Sequence, residues 1–409
     1  MLSTLRIELR RAPARWWVPV MVAVGVVWLF ARSGDWSKVW PQAAAAAQAT
    51  TVFLAPMAAA AAAIGTGRRH QPGFSELTAH APQPFWYQHL TQLMASLIYA
   101  VSAFLAVTGM ALSAPLSAGV PAGQLWGSYV ILGTITMVAG TALGHWAGLL
   151  LAGPAAPAVS AVAIFIVLGV IPSDSPYNFT VISGSPEFRL NPSALAIRAV
   201  IAGALVLIAV SWPRTRVRWG YLAVAPSLGI TAAVLATTAM GPVGFPQITR
   251  PPGQSPLCST TSPQVCLWPE NRAYLAQTAQ TAQKVAAAAD GVLTLPTRFY
   301  ESGLRHTPEG QPPGFSLRAG TYGIVGDMVN EMLPRPPACD RAFTDQQISQ
   351  YATAHENLST WLFTRATGKQ ATLDDTSEEI VRVLKQPEPE QTAWARAQVT
   401  ALKGMKCPV

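Results

Sequence analysis

Long apolar segments recur through the first 241 residues, and they limit what this chain can fold into more than any other feature. Most of them hold about 20 residues, which as a helix rising about 1.5 Å per residue cross the hydrocarbon core of a bilayer. The sequence predicts seven membrane helices, at residues 16–31, 43–65, 88–112, 126–151, 155–172, 195–212 and 219–241. The predicted class is therefore an all-α polytopic membrane bundle.

Composition agrees with a membrane protein and argues against nucleic-acid binding. Only 12% of the residues are charged and 50% are hydrophobic, whereas an ordinary soluble domain has about 25% charged residues. The net charge is +8, but the arginines form short clusters at the ends of apolar segments and no continuous basic face with aromatics. Such clusters are typical of topology signals and of contact with anionic lipid. They are Arg6, Arg10, Arg11 and Arg15; Arg68 and Arg69; and Arg214, Arg216 and Arg218.

The positive-inside rule orients the predicted helices. The loops on one side hold the clustered arginines, and those on the other side hold only Arg32, Lys38 and Arg189, with Arg198 just inside the sixth helix. This predicts a cytoplasmic N-terminus and, after seven crossings, a C-terminal region outside the cell membrane. In residues 1–15, leucines recur on one helical face and charged residues lie on the other, and this pattern predicts an amphipathic interfacial helix. A signal peptide is the competing interpretation, but no small-residue cleavage site follows Phe30.

The four cysteines indicate the compartment of the C-terminal region. All of them lie in the last third of the chain, and an even number confined to one region predicts two disulfides and an oxidising compartment. We expect Cys258–Cys266 and Cys339–Cys407, although two other connectivities exist. Free buried thiols are an alternative, and metal ligation is a weaker one because the CxxC or CxxH spacing of zinc sites is missing.

A polar run, Gly65 to Leu90, separates the second and third predicted helices. Its pair Arg68–Arg69 places it in the cytoplasm, and the stretch from Phe74 to Ala81 has the length of about two helical turns between prolines. We predict a short amphipathic helix on the cytoplasmic face, where another protein could bind. The alternative is an ordinary solvated connection whose arginines only set the topology.

The order Arg68-Arg69, Glu76-Leu77 and Ala81-Pro82 before a membrane helix resembles the first cytoplasmic loop of type-2 ABC exporter permeases, especially the Ala-rich actinobacterial kind. The resemblance covers about residues 1–215. It implies a six-helix permease core, an N-terminal elbow helix, and re-entrant helices near 172–191 that cap the translocation path.

The same resemblance implies partners and a docking site. The partners are a cytosolic ABC ATPase subunit, which would bind ATP and Mg, and a second permease copy or a paralogue, within the bacterial cell membrane and its lipid. The residues expected to contact the ATPase are Arg68, Arg69, Phe74, Glu76 and His80. The chain itself has no GxxxxGK[ST] phosphate loop, so we expect it to bind no cofactor and not to be an enzyme.

The predicted domains are 1–15, the interfacial helix; 16–215, the permease-like core; 216–242, a seventh helix that departs from the minimal family pattern; and 243–409, an extracytoplasmic domain. Within the core, His145 is the ionisable side chain that the sequence places well inside an apolar span. Intramembrane ionisable groups are functional candidates, and packing through a neutral imidazole is the alternative.

The extracytoplasmic domain is predicted to be mostly helical, with helices at 269–289, 345–366, 376–384 and 394–405, and with 320–325 as a strand or a loop. No catalytic motif is complete: His355-Glu356 lacks the second histidine of HExxH, and His306 and Glu309 have no evident partner. Asn178-Phe179-Thr180 matches a glycosylation sequon, which carries no weight because the composition is bacterial in character.

Two functions from different classes remain open at this stage. The first is the permease subunit of an ATP-driven exporter. The second is a non-transporting signal transmitter whose outer domain binds a cell-envelope protein or peptide, and a membrane-anchored structural protein without an ATPase is a third possibility. The sequence does not identify the substrate.

Overall fold

The computed structural model describes residues 2–31, 39–67, 84–117, 119, 125–151, 153–171, 175–181, 183–212, 224–243, 245–251, 256–306, 314–317, 320–337, 339, 343–368 and 378–407. The chain divides into two compact units, Met1–Thr249 and Arg250–Val409. The first is the membrane unit, and the second is the C-terminal unit. The membrane unit ends at Thr249 and not at residue 242, because the segment after the last helix forms a strand within it.

The membrane unit is built from apolar helices. They are α1 (Leu2–Arg11), α2 (Ala14–Ala31), α3 (Trp40–Ala49), α4 (Thr51–Gly67), α5 (Phe85–Ser117), α6 (Trp126–Leu150), α7 (Ala156–Val170), α8 (Pro192–Ser211) and α9 (Val224–Val243). In the described part of the chain, six helical spans are long and apolar enough to cross a membrane, and α3 and α4 together form one of them. This is the architecture of a multi-pass membrane protein.

The fifth predicted membrane helix is shorter than expected. Helix α7 has 15 residues, which extend about 22 Å and do not cover a hydrocarbon core of about 30 Å. It ends because Ile171 adopts an extended backbone (φ −64°, ψ 121°), as a residue directly before a proline tends to do. In the part of the chain that the structure describes, the prediction of seven full-length membrane helices is corrected to six full-length spans and one shorter apolar helix, α7.

Small residues bring the helices of the membrane unit close together. Gly140, Gly144 and Gly148 recur every fourth residue on α6 and face the alanines of α4. A Cβ atom on Gly144 would lie 2.2 Å from the carbonyl oxygen of Ala59, so a side chain does not fit there. Close backbone approach of this kind is how helices associate where lipid removes the hydrophobic driving force.

Contacts between helices distinguish the two ends of the membrane unit. At the first end, Pro13, just after α1, lies beside Gly65 near the end of α4, since a Cβ atom on Gly65 would be 3.7 Å from Pro13 Cδ. The hydroxyl of Tyr99 donates to the carbonyl of Leu9 at 2.9 Å and holds α1 against the middle of α5. At the opposite end, the rings of Trp40 and Trp126 lie 5.7 Å apart. There β1 (Phe188–Leu190), just before α8, pairs antiparallel with β2 (Gln247–Thr249), just after α9. The chain therefore leaves the membrane unit at the end opposite to α1.

The C-terminal unit is mostly helical around a small sheet. Strands β3 (Leu257–Cys258), β4 (Gln264–Leu267) and β5 (Arg298–Tyr300) form the sheet in that order, with β3–β4 antiparallel and β4–β5 parallel. The helices are a 3₁₀ turn (Pro269–Tyr274), α10 (Leu275–Ala289), α11 (Gly320–Met332), α12 (Asp345–Thr367), α13 (Glu378–Leu384) and α14 (Glu388–Lys403). Their apolar faces enclose one core that includes Phe299, Phe315, Met328, Leu358 and Trp361.

Two predictions for the C-terminal unit have different outcomes. The prediction of two disulfides is confirmed, and the bonds join Cys258 to Cys266 and Cys339 to Cys407. The expectation of a strand or loop at 320–325 is wrong, because this stretch begins α11. Ile324, Val325, Met328 and Val329 of α11 are buried in the core, and that helical spacing outweighs the local preference of Gly320 and Gly323 for non-helical structure.

Candidate functional site

A non-helical segment enters the membrane unit between α7 and α8. We call the described residues 175–181 and 183–187 the inserted segment. The carbonyl of Phe179 accepts hydrogen bonds from Gln48 Nε2 at 3.0 Å and from Thr136 Oγ1 at 3.2 Å. These two partners lie about 12 Å and about 15 Å from the first residues of α3 and α6. The segment is therefore buried deep among the helices, where irregular backbone is tolerated only inside protein or beside a cavity.

Glutamines on α3 replace the hydrogen bonds that a neighbouring strand would give to the inserted segment. Gln48 donates to Phe179 and its Oε1 also accepts from the N–H of Val181 at 3.0 Å, so one amide satisfies two backbone groups. Gln42 Oε1 accepts from the N–H of Gly184 at 3.3 Å. A Cβ atom on Gly184 would lie 2.1 Å from the carbonyl oxygen of Pro41. Only glycine allows this close approach.

Arg198 holds the segment from the side of α8. Its side chain is 1% exposed, and it donates from Nε to the carbonyl of Asn178 at 2.9 Å and from Nη2 to the carbonyl of Pro176 at 2.7 Å. The guanidinium also lies 5.6 Å from the ring centre of Phe179. Within the described ranges Arg198 makes no ion pair, so carbonyl dipoles solvate its charge. A buried charge in a membrane span is costly and marks a functional position.

The side chain of Asn178 shapes the turn of the inserted segment. Its Oδ1 accepts from both the backbone N–H and the hydroxyl of Thr180, each at 2.8 Å, and its Nδ2 donates to the carbonyl of Ile171 at 3.3 Å. Asn178 is 2% exposed. The sequon at this position therefore serves as a buried Asx turn that joins the end of α7 to the segment.

A polar cluster closes the same end of the membrane unit. The amide Nε2 of Gln247, on β2, donates to the hydroxyl of Tyr129 at 3.0 Å and to the carbonyl of Ser183 at 2.6 Å. Tyr129 is fully buried near the start of α6. The strand after the last membrane helix thus packs directly over the inserted segment.

A histidine pair lies toward the α1 end of the membrane unit. His145 Nε2 on α6 is 3.4 Å from His89 Nδ1 on α5, and both side chains are almost fully buried. Their rings meet edge to face with centres 5.5 Å apart. His145 therefore packs against a second imidazole, which the sequence analysis had assigned to the polar loop. Arg198 corrects the view that His145 alone is the ionisable group inside a span.

An apolar cavity of about 340 Å³ lies between α6, α7 and α8. Its lining includes Phe179 of the inserted segment and Ile201, one turn after Arg198 on α8. Helix α7 packs on α4 and α6, whereas α8 packs on α6 and α9. The cavity therefore occupies the space that α7 and α8 leave between them.

The C-terminal unit has a polar groove of about 830 Å³ between α12, α14 and the last described residues. Its lining is rich in amides and hydroxyls, with Glu379 and Lys406 as the charged side chains. Glu379 is engaged, since its carboxylate accepts from Trp394 Nε1 at 2.9 Å and from Asn357 Nδ2 at 3.3 Å. The groove can bind a polar ligand, but it carries no catalytic arrangement.

Burial perturbs several titratable groups of the C-terminal unit. It raises the pKa of Asp327 and of Glu331, although the neighbouring Arg305 lowers the pKa of Glu331. It lowers the pKa of His355, whose ring lies 5.7 Å from that of Tyr351. Among the described residues, no group of three or more His, Cys, Asp or Glu side chains could hold a metal ion.

The predicted ATPase-docking residues Arg68, Arg69, Phe74, Glu76 and His80 lie outside the described residues. Glu309 does as well, and His306 is exposed. The sequence analysis missed Gln48, Thr136 and the role of Arg198. A lone arginine inside an otherwise uncharged span was the available signal for Arg198, whereas a single Gln or Thr in an Ala-rich helix gives no such signal.

One family model matches part of the C-terminal unit. Residues 265–407 match a family model described as a domain of unknown function (DUF7224). The match begins in β4 and ends at Cys407, the second cysteine of the Cys339–Cys407 disulfide. It therefore lies within the C-terminal unit and does not include the membrane unit. No curated protein and no solved structure matches the chain.

Proposed function

We propose that the chain is the membrane subunit of an ABC-type exporter, with ATP hydrolysed by a separate cytosolic polypeptide. The observation that carries the proposal is the inserted segment, a stretch of irregular backbone held between α3 and α8 by single side chains. In membrane transporters, broken helices and irregular backbone at this depth line the path of the substrate. The sequence motif Arg68-Arg69, Glu76-Leu77 and Ala81-Pro82 supports an ATPase as the partner.

The contacts suggest how a push on the 67–82 loop would reach the inserted segment. That loop follows α4, which continues the span of α3 and packs closely on α6. A rigid-body shift of the α3–α4 span would move Gln48 relative to Arg198 on α8. The segment is bonded to both side chains, so the shift would break one set of contacts and open or close the space beneath Phe179, which is a two-state mechanism.

We place the N-terminus and the 67–82 loop in the cytoplasm and the C-terminal unit outside. Two observations support this orientation. The chain leaves the membrane unit at the end opposite to α1, and the C-terminal unit carries two disulfides, which persist in oxidising compartments. After reduction, a membrane-impermeant maleimide should label the cysteines of intact cells. Labelling only in inside-out vesicles would refute this orientation.

The docking proposal is tested by expressing the tagged chain in its own cells and measuring how much ABC-type ATPase co-purifies with it. We expect the triple variant Arg68→Ala, Arg69→Ala, Glu76→Ala to co-purify with less than about a tenth of the ATPase that wild type binds. The reason is that truncating a buried interfacial charge costs about 2–5 kcal/mol. The control is Arg10→Ala, Arg11→Ala, which removes two basic residues from α1. Equal retention of the ATPase by wild type and the triple variant would show that the loop is not the docking site.

A second function, signal transmission without transport, is favoured by one observation, the polar groove of the C-terminal unit. If an envelope ligand binds there, the ATP hydrolysis of the reconstituted complex should respond to that ligand. The variant Gln350→Trp, which fills the groove, should abolish the response. Gln346→Trp is the matched control, since Gln346 is equally exposed on α12 but does not line the groove. If the groove does not transmit a signal, the response of ATP hydrolysis to the ligand will be the same in both variants.

A further inference from the structure

The cavity between α6, α7 and α8 opens on the lipid-facing surface of the membrane unit. Val159 and Val167 of α7 line it and are each 49% exposed, so they mark its mouth. Neighbouring residues on α7 that do not line the cavity, Val162 and Ile166, are 57% and 50% exposed. In a membrane these apolar surfaces face acyl chains. Hydrocarbon is therefore what meets the mouth of the cavity.

The interior of the cavity offers almost no polar group to a ligand. Its two hydroxyls are already engaged: Thr136 Oγ1 lies 2.9 Å from the carbonyl of Leu132, and Ser160 Oγ donates to the carbonyl of Pro157 at 3.0 Å. The remaining lining is made of Ala, Gly, Leu, Ile, Val, Phe and Trp side chains. Apolar cavities exclude water and bind apolar molecules. The chemistry of the lining selects hydrocarbon and rejects a polar solute.

The length of the cavity matches one leaflet of a bilayer. Its lining on α6 extends from Thr136 to Ala147, a distance of about 16 Å along the helix. Half of the hydrocarbon core measures about 15 Å. The cavity volume also falls in the range of ligand-binding pockets, about 300–1,000 Å³. One acyl chain fits along the helices in this space.

Two tryptophan rings mark the α1 end of the cavity. The ring of Trp146 lines the cavity, whereas its Nε1 is buried against protein. This ring meets Trp212, at the end of α8, edge to face at 5.4 Å. Tryptophans at helix ends lie at the level of the lipid headgroups and glycerol. The two rings therefore mark the end of the cavity that is nearer to the headgroups.

We propose that this cavity binds one acyl chain of a membrane glycerophospholipid, drawn from the leaflet on the α1 side, with the ester end of the chain nearest to Trp146. The site requires only that the unit spans a membrane, and it does not depend on ATP-driven export. Phe179 closes the inner end of the cavity and is stacked by Arg198. The bound acyl chain therefore contacts the inserted segment, and lipid binding is coupled to the position of that segment.

The test uses the full chain in phosphatidylcholine vesicles that contain phosphatidylcholine with a photoreactive diazirine at mid-chain. Mass spectrometry should find adducts on cavity residues such as Leu143 and Leu168. In Ala163→Trp, which blocks the mouth, these adducts should fall about tenfold, because excluding about two methylene groups removes that much binding. Val162→Trp, the neighbouring exposed position, should leave them unchanged. Val167→Trp blocks the mouth from a second position if Ala163→Trp does not fold.

Adducts confined to outward residues such as Val162 and Ile166, or equal cavity labelling in Ala163→Trp and Val162→Trp, would refute the lipid site. If the cavity is labelled but no ATPase co-purifies, the lipid site stands and the exporter function fails.

Discussion

Each of the two units of this chain is stabilised internally by a different kind of interaction. In the membrane unit many of the buried residues are small, with runs such as Ala58 to Ala63. Polar side chains there bond to backbone carbonyls within the bundle. In the C-terminal unit the buried residues are large, including Trp361, Phe299 and Phe315, and two disulfides close the chain. A water-facing unit gains stability by burying large apolar surface, whereas helices in lipid gain it from close approach and hydrogen bonds.

The difference explains where irregular backbone can occur in each unit. In the C-terminal unit, loops lie in water, which satisfies their polar groups. In the membrane unit, every N–H and C=O of the inserted segment needs a protein partner, and Gln48, Thr136 and Arg198 supply several of them. Substitutions in the C-terminal unit should therefore change stability through the volume of buried side chains and through the disulfides. Substitutions in the membrane unit should change it through single polar contacts.

The largest expected effect is loss of the Cys339–Cys407 disulfide, which closes a loop with a sequence separation of 68. In a chain-entropy picture such a bond stabilises by about 4 kcal/mol, whereas Cys258–Cys266, with a separation of 8, gives about 2.5 kcal/mol. We expect Cys339→Ser, Cys407→Ser to lower the free energy of unfolding more than Cys258→Ser, Cys266→Ser. Thermal unfolding of the full chain in detergent measures both, and the reverse order would contradict this comparison.

A single polar contact should rank next. Arg198→Met keeps the length and apolar stem of the side chain but leaves the carbonyls of Pro176 and Asn178 without their donor. Each buried unsatisfied group costs about 1–3 kcal/mol, so we expect a loss of about 3 kcal/mol and faster proteolysis within the inserted segment. The control is Arg189→Met, an exposed arginine on β1. If both variants unfold at the same temperature, Arg198 does not hold the segment.

Close packing of α4 on α6 should give the third effect. Gly144→Ala places a methyl group 2.2 Å from a backbone oxygen, whereas Gly203→Ala on α8 meets nothing within 4 Å. Overpacking of this kind costs about 1–3 kcal/mol, so we expect a lower midpoint of thermal unfolding for Gly144→Ala. Gly203→Ala should match wild type or exceed it, because alanine favours helix over glycine. A Gly144→Ala protein as stable as wild type would mean that the helices separate freely.

The sequence predicted the apolar helices and the two disulfides because these depend on local composition and on cysteine number. Hydrophobic runs locate α2, α5, α6, α8 and α9 to within a few residues. The inserted segment could not be predicted from the residues alone, because its position depends on contacts between residues more than a hundred positions apart, such as Gln48 with Phe179. The resemblance to permeases implied re-entrant helices near 172–191, but the described residues 175–181 and 183–187 are not helical. The same long-range dependence hid the pairing of His89 with His145.

The smallest effect is a pH dependence confined to the C-terminal unit. Burial lowers the pKa of His355, so the unfolded chain binds a proton there more readily than the folded protein. This contribution to stability is present above the unfolded pKa of about 6.5 and is lost as the pH falls below it. His355 is only partly buried, so the change should stay under about 1 kcal/mol.

The variant His355→Gln isolates this titration from the carboxylates. Asp327 and Glu331 have raised pKa values, so their contribution has the opposite sign: it is present at acidic pH and lost as the pH rises. The difference in unfolding temperature between wild type and His355→Gln, measured from pH 8 to pH 5, removes their effect because both proteins share it. We expect the unfolding temperature of wild type to fall relative to that of His355→Gln below about pH 6.5. His306→Gln removes an exposed histidine of the same unit and keeps His355. If the difference between wild type and His306→Gln changed with pH as much as the difference between wild type and His355→Gln, burial of His355 would not be the cause.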